Sequence, residues 1–404
     1  MRVTTNSTYR KFTSSVNDVH LKLNKSMNKI TTGKAFESAA ENPLAYYTGK
    51  KIDDQYLDTK SKNTLLTDIK NRLYQQELGA RDIQDILSKA KKQVQYGRTA
   101  TTTGEHDIQT IKEDLIQKVR TIANDLNTQY QDFYVYGGND VTTTPFTLDV
   151  NLSATDSYLE LTYSHTFPGE DQVTEFHLKF SEKNGEFKFE LDPNAALDDP
   201  GHKLGTMDDL VRAMSEQGRV DIGYGDMRDR ETLLDTYTGG LNILTGVNSD
   251  AVRSLNAQDK TNAANGNNTT LAQDKIMEML DKSPIALIGK AIISINDYNT
   301  SGSAHYNDKD VLDDRLEETI DQMTETEHTI STAYSDLGNK YLLLEETGKK
   351  LDSIEDALTE QYKDTLGADP YASIMEMFNN QYSYNAALQV GSKLMSSSLF
   401  DFVR

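Results

Sequence analysis

Four Gly-Lys pairs are the places where this sequence could cradle a phosphate: Gly33-Lys34, Gly49-Lys50, Gly289-Lys290 and Gly348-Lys349. A phosphate loop also needs an upstream glycine to open its backbone N–H groups, and a Ser or Thr after the lysine. All four pairs lack both. Gly223-Tyr224-Gly225 is too short for a dinucleotide turn. The seven histidines (His20, His106, His165, His177, His202, His305 and His328) never fall at i, i+4, and none has a metal partner by spacing. Asp308, Asp310, Asp313 and Asp314 lack the glycine and closing glutamate of a calcium loop, so they read as a solvated helix start. There is no G-x-S-x-G elbow and no cysteine, which removes disulfides, thiolate sites and a Cys nucleophile together. No catalytic, cofactor-binding or metal-binding residue is expected. What remains is adhesive chemistry, apolar side chains repeating at helical spacing near both ends of the sequence.

On the first end these are Phe12, Val16, Val19, Leu23 and Ile30; on the last, Ile374, Met377, Leu388, Met395, Leu399 and Phe402. Each set lies along one side of a helix. Two such helices would pair as a narrow coiled coil, marginal alone and better ordered with neighbours. These eleven residues are the candidate assembly interface.

The elements that carry these ends follow from proline placement. Residues 44–144 and 285–369 contain no proline, while four of the seven fall between 145 and 200. Proline costs roughly 3 kcal/mol inside a helix, so the long gaps are where long helices fit. In the first gap Leu66, Ile69, Leu73, Ala80, Ile83, Leu87, Ala90 and Val94 step by three and four, broken only at Gln76. They predict a helix over 52–97. A second helix follows with Ile108, Ile111, Leu115, Val119, Ile122 and Leu126 on one face. In the second gap Leu316, Met323, Ile330, Leu337, Leu344, Leu351 and Leu358 recur every seven residues, predicting a helix of about 50 residues. This seam is read as intramolecular.

Between the helical halves the period changes to two. Phe146, Leu148, Val150 and Leu152 alternate with polar residues, as do Leu159, Leu161 and Tyr163. Phe176, Leu178, Phe180 and then Phe187, Phe189, Leu191 form the arms of a hairpin, with Asn184-Gly185 as its turn. One short helix is expected near 207–215, and irregular chain over 240–272. The fold class is therefore mainly α: a long antiparallel helical bundle or coiled coil built from both ends, with a β-rich outer domain inserted in the middle. The expected domains are a terminal coiled coil (1–43 and 370–404), a helical rod (44–139 and 236–369) and the β-rich insert (140–235).

Charge narrows the partners. The sequence of 404 residues carries 42 basic and 63 acidic residues, a net charge of -21. Such a surface repels a polyanion, so nucleic acid is not an expected partner. Up to Lys34 there are seven basic residues against one acidic, a handle for acidic neighbours. No run of about 18 apolar residues offers a membrane span. The opening MRVTTNSTYRKF lacks the apolar core of a secretory signal. Cytoplasmic residence, or export without a cleaved signal, is the expectation.

The opening residues, the segment KITTGKAFESAAENPLAYYTGKKI and the close AALQVGSKLMSSSLFDFVR resemble the flagellin-like axial proteins of bacterial flagella, above all the hook–filament junction family (hook-associated protein 3). Thr32-Gly33-Lys34 matches the family's turn after its first helix, and Asn42-Pro43-Leu44-Ala45 its Asp/Asn-Pro-x-Ala step. Ser398-Leu399-Phe400-Asp401-Phe402 is similar to the ending of junction proteins more than to that of flagellins. TYTGGLNILTGVNSD is similar to the segment leaving the outer domain in some members. Glu41-Asn42 stands where many relatives carry an acidic pair. The likeness is specific at both ends and loose in the insert. It implies a structural subunit and not an enzyme, with no cofactor, exported unfolded by the flagellar type III system and located outside the cell at the hook–filament junction. Its implied partners are hook-associated protein 1, flagellin, copies of itself and an export chaperone on the C-terminal helix, without membrane insertion. The alternative is flagellin, the filament subunit itself.

Overall fold

The computed structural model describes residues 5–36, 38–100, 105–153, 156–197, 199–216, 219–221, 233–235, 239–303 and 305–402. In chain order the elements are α1 (Thr5–Thr32), α2 (Pro43–Ala100), α3 (Glu105–Asp125), β1 (Gln129–Tyr130), β2 (Phe133–Tyr134), β3 (Phe146–Leu152), β4 (Ser157–Thr166), β5 (Val173–Lys183), β6 (Glu186–Leu191), β7 (Lys203–Leu204), α4 (Met207–Ser215), β8 (Arg219–Asp221), β9 (Leu233–Asp235), α5 (Gly240–Thr245), α6 (Ser249–Ala264), α7 (Leu271–Asp281), α8 (Pro284–Asn299), α9 (Lys309–Leu366) and α10 (Pro370–Phe402). The molecule is mainly helical, with helices from both ends and an antiparallel sheet between them in sequence, as the period changes predict. Its contacts form two compact units, residues 1–65 with 348–404, and residues 66–347.

In the second unit the predicted seams are the core. Leu66, Ile69, Leu73, Ala80, Ile83, Leu87, Ala90 and Val94 are all buried, and so are Ile108 to Leu126 on the α3 face. Leu316, Met323, Ile330, Leu337 and Leu344 bury one side of α9. The break at Gln76 has a cause. Its side chain donates to the Val135 carbonyl at 2.8 Å, and the Tyr136 hydroxyl donates to the Gln76 carbonyl at 2.7 Å. A side chain at Gly79 would strike that tyrosine oxygen. The polar interruption is where the loop carrying β1 and β2 docks on α2.

The five-stranded sheet runs β3-β4-β5-β6, all antiparallel, with β7 pairing parallel to β5. Asn184 and Gly185 both take positive φ at the β5–β6 turn, as the type I′ hairpin requires. Phe146, Leu159, Leu161, Phe176, Leu178 and Phe180 form the buried inner row. This row closes on α8, whose run from Pro284 to Asn296 is wholly buried. Gly289 lets the two approach, since a Cβ there would meet Leu159 and Phe180 at 3.2 Å. Arg315 of α9 bonds Glu182 of β5 and Asp297 of α8. The insert thus shares one compact unit with the helices, since among the described residues its apolar face closes on α8.

The expectation of irregular chain over 240–272 is corrected. The segment holds α5, α6 and the start of α7. Its Asn and Gly residues are helix ends: Gly246 takes the left-handed cap of α5, and the Asn248 side chain accepts from the Ala251 amide at the start of α6. The predicted short helix matches α4, which opens with a Thr206/Asp209 capping box. Residues 217–218 and 222–232 of the insert, and 236–238 after it, lie outside the described residues.

Candidate assembly interface

Two breaks of one design build the terminal unit. Asn42 accepts from the Ala45 amide at 3.1 Å, and Pro43 takes the first position of α2. Asp369 accepts from the Tyr371 amide at 2.8 Å, and Pro370 takes the first position of α10. Each is a side-chain cap followed by the residue that needs no amide partner there. Gly33, at φ +69°, ends α1 as only an unbranched backbone does readily. The two connections then join: the Ala35 amide donates to the Leu366 carbonyl at 2.7 Å and the Ala368 amide to the Gly33 carbonyl at 2.9 Å. Gly49 faces Leu366 so closely that any Cβ would clash.

Beyond this joint α1 and α10 run antiparallel. Phe12 covers Gly391, Asn380 bonds Ser26, and Lys29 pairs with Glu376 at 2.9 Å. On α1 the seam is Phe12, Val16, Val19, Leu23 and Ser26; the four apolar residues stay half-buried, and only Ser26 is fully covered. Ile30, on the same stripe, is exposed. On α10 the covered side is Ser373, Met377, Asn380, Tyr384, Ala387 and Gly391. Of the residues expected on this helix, Met377 lies on the seam, whereas Ile374 and Leu388 are exposed and off it. The side chains of Met395, Leu399 and Phe402 lie outside the described residues.

The expected stripe misses a second one. Tyr371, Met375, Phe378 and Tyr382 recur at i, i+4, i+7 and i+11 on the side of α10 opposite the seam. Their exposures are 76, 47, 57 and 78%, large for residues of this size. Its signal is the helical spacing of these four residues, which a single apolar face per helix does not accommodate. α10 has three charged residues in 33, so both of its sides are greasy and only one is covered.

Electrostatics separate the units. The terminal unit has 16 basic and 14 acidic residues, a net +2, while residues 66–347 have 26 and 49, a net -23. The exposed apolar side chains of α1 and α10 therefore sit where charge repulsion is weakest. On α2 in this unit, the Lys50 ammonium is held above its usual range by its hydrogen bond and charge pairing with Asp54. Among the described residues no cluster of His, Asp or Glu could hold a metal ion, and no helix is long and apolar enough to cross a membrane.

No family model matches this chain, and no curated protein does. Solved structures to which it is similar include a flagellar hook-associated protein from Vibrio parahaemolyticus, at 11% identity and TM-score 0.47, covering 81% of this chain and 100% of that one. FlgL from Bacillus cereus is similar at 12% identity and TM-score 0.38, covering 80% and 100%. Flagellar hook-associated protein 3 from Legionella pneumophila is similar at 12% and 0.41, covering 78% and 98%. Identity and superposition are both low.

Proposed function

We propose that this chain is a structural subunit of the bacterial flagellum that joins hook to filament and assembles through its terminal helices. The observation that carries the reading is the α1–α10 pair: its seam is only half-covered, and the Tyr371–Met375–Phe378–Tyr382 stripe is bare. Such a surface is costly in a lone monomer and useful in an assembly. The likeness of the Thr32-Gly33-Lys34 turn, the Asn42-Pro43 step and the Ser398–Phe402 ending to junction proteins supports the same role. In this reading the expected interface residues Phe12, Val16, Val19, Leu23, Ile30, Ile374, Met377, Leu388, Met395, Leu399 and Phe402 divide between holding the pair together and meeting neighbours.

Export follows the same physics. A chain with no cysteine forms no disulfide to obstruct threading through the type III channel. An export chaperone would cover the apolar α10 before export. Hook-associated protein 1, flagellin and further copies would cover it afterwards, outside the cell. Head-to-tail contacts of this kind leave an open end for the next subunit. Deleting the gene tests the role: hooks stay intact and flagellin is shed into the medium. Normal attached filaments would rule it out. Copy number on sheared filaments separates this subunit from flagellin, which would be present in great excess over any junction layer.

A further inference from the structure

The sheet has two outer strands, and they end differently. On β6 the Phe189 amide points away from β5 and donates to the Asp281 carboxylate of α7 at 2.6 Å. The exposed residues of β6 are Glu186, Lys188 and Glu190, all charged. Charged side chains and a covering helix are common guards of a sheet edge.

β3 is guarded only at its start. Its register pairs Phe146 with Tyr163, and one step earlier the Ser164 amide donates to the Pro145 carbonyl at 2.8 Å. Antiparallel pairs alternate, so Thr147, Asp149 and Asn151 turn their backbone groups to β4, while Phe146, Leu148, Val150 and Leu152 turn theirs outward. Asn127 closes the first of these. Its side-chain oxygen accepts from the Phe146 amide at 2.9 Å, and its side-chain nitrogen donates to the Phe146 carbonyl at 2.6 Å. The outward backbone groups of Leu148, Val150 and Leu152 meet no partner among the described residues. Their side chains are only half-buried, although Leu161 and Leu159, opposite Leu148 and Val150, are fully buried.

The strand is also complementary to itself. Turned antiparallel on a copy about Val150, it sets Leu148 against Leu152, Val150 against Val150, and Asp149 against Asn151, whose amide can donate to the carboxylate. Turned about Asp149, it would set two carboxylates face to face. We propose that β3 is an edge-to-edge pairing site for the β3 of a second copy of this chain, continuing the sheet across two molecules and joining their Leu148, Val150 and Leu152 rows. The two-fold closes on itself, so this contact stops at a dimer. It is independent of open head-to-tail growth through the terminal helices. Residues 66–347 are strongly acidic, so two copies repel over the rest of this unit and added salt tightens the pairing.

Sedimentation equilibrium of the full chain, up to about 0.5 mM, tests this. A monomer–dimer equilibrium that tightens with salt is expected; a monomer throughout would overturn the proposal. Val150→Pro should abolish the dimer while circular dichroism stays unchanged, because the lost amide points outward and bonds nothing within the sheet. A dimer that survives this variant forms elsewhere, and it too would overturn the proposal. Asn151→Asp places two like-charge pairs across the two-fold and should weaken dimerisation about tenfold, whereas Asn151→Lys should strengthen it by a similar factor. Amide exchange reads the register. Between dilute and concentrated protein the Leu148, Val150 and Leu152 amides should slow about tenfold, while those of Thr147, Asp149 and Asn151, already bonded to β4, should not change. Equal slowing of both sets would contradict edge pairing.

Discussion

The seam of the 66–347 unit and the seam of the terminal pair are written in one alphabet and spelled differently. Both step by three and four along long helices. In the larger unit the positions are Leu, Ile, Met, Val and Ala with the one polar break at Gln76, and they are buried from Leu316 to Leu344 and from Leu66 to Val94. In the terminal pair they alternate with Ser26, Ser373, Asn380 and Gly391, and the apolar members are half-covered. Helical periodicity says which side of a helix is apolar. The size of the side chains and the number of packed neighbours say how much free energy that side yields. The difference teaches that one heptad signal can mark a finished core or a surface awaiting company.

Hydrogen exchange should break this comparison or sharpen it most. In dilute monomer, α1 and α10 amides should exchange on the order of a thousandfold faster than those of α3 and α8. Equal protection would remove the basis of the assembly reading. Truncation comes next. Leu337→Ala should destabilise the 66–347 unit by about 2 to 5 kcal/mol in urea unfolding, whereas Val16→Ala should leave that transition in place. A comparable loss from both would mean the terminal pair is part of the same finished core.

Asp140 offers a third test, confined to the larger unit. Burial pushes its carboxyl up, but bonds from Thr143, Thr142 and Thr166 outweigh that and hold it at about 2. A depressed carboxyl stabilises above its unfolded value and loses that contribution as pH falls, here between about 4 and 2. Asp140→Ala should cost about 2 to 3 kcal/mol at pH 7 and little at pH 2. A deficit unchanged across that range would contradict the hydrogen-bond account.

The smallest effect belongs to Asn380, whose amide donates to Ser26 Oγ at 2.7 Å and to the Lys22 carbonyl at 3.3 Å. A polar residue in a coiled-coil seam specifies register at a cost in stability. Asn380→Leu should stabilise the pair by about 1 kcal/mol and broaden its register. Spin labels at introduced cysteines would read this, helped by the absence of native ones. A single narrow distance in the variant would show that Phe12 against Gly391 suffices.

Much of this architecture was legible from residue order. Long proline-free stretches, heptads, the Asn184-Gly185 turn and the Pro43 and Pro370 breaks are local rules, and local geometry obeys them. Residues 240–272 carry helices where irregular chain is expected because Asn and Gly serve loops and helix caps alike, and only hydrogen-bond partners distinguish the two. Gln76 breaks its seam for a reason that lies 60 residues away, where the Tyr136 hydroxyl donates to its carbonyl.

Sequence alone determined the long helices, the main strands of the sheet and the apolar seams of the larger unit, since those depend on neighbours three, four or two residues away. Tertiary structure decided which apolar faces are covered. It placed Leu337 inside and Phe378 outside, and it set His177 between two carboxylates from different strands. Coverage depends on groups remote in the chain, and no periodicity encodes their arrival.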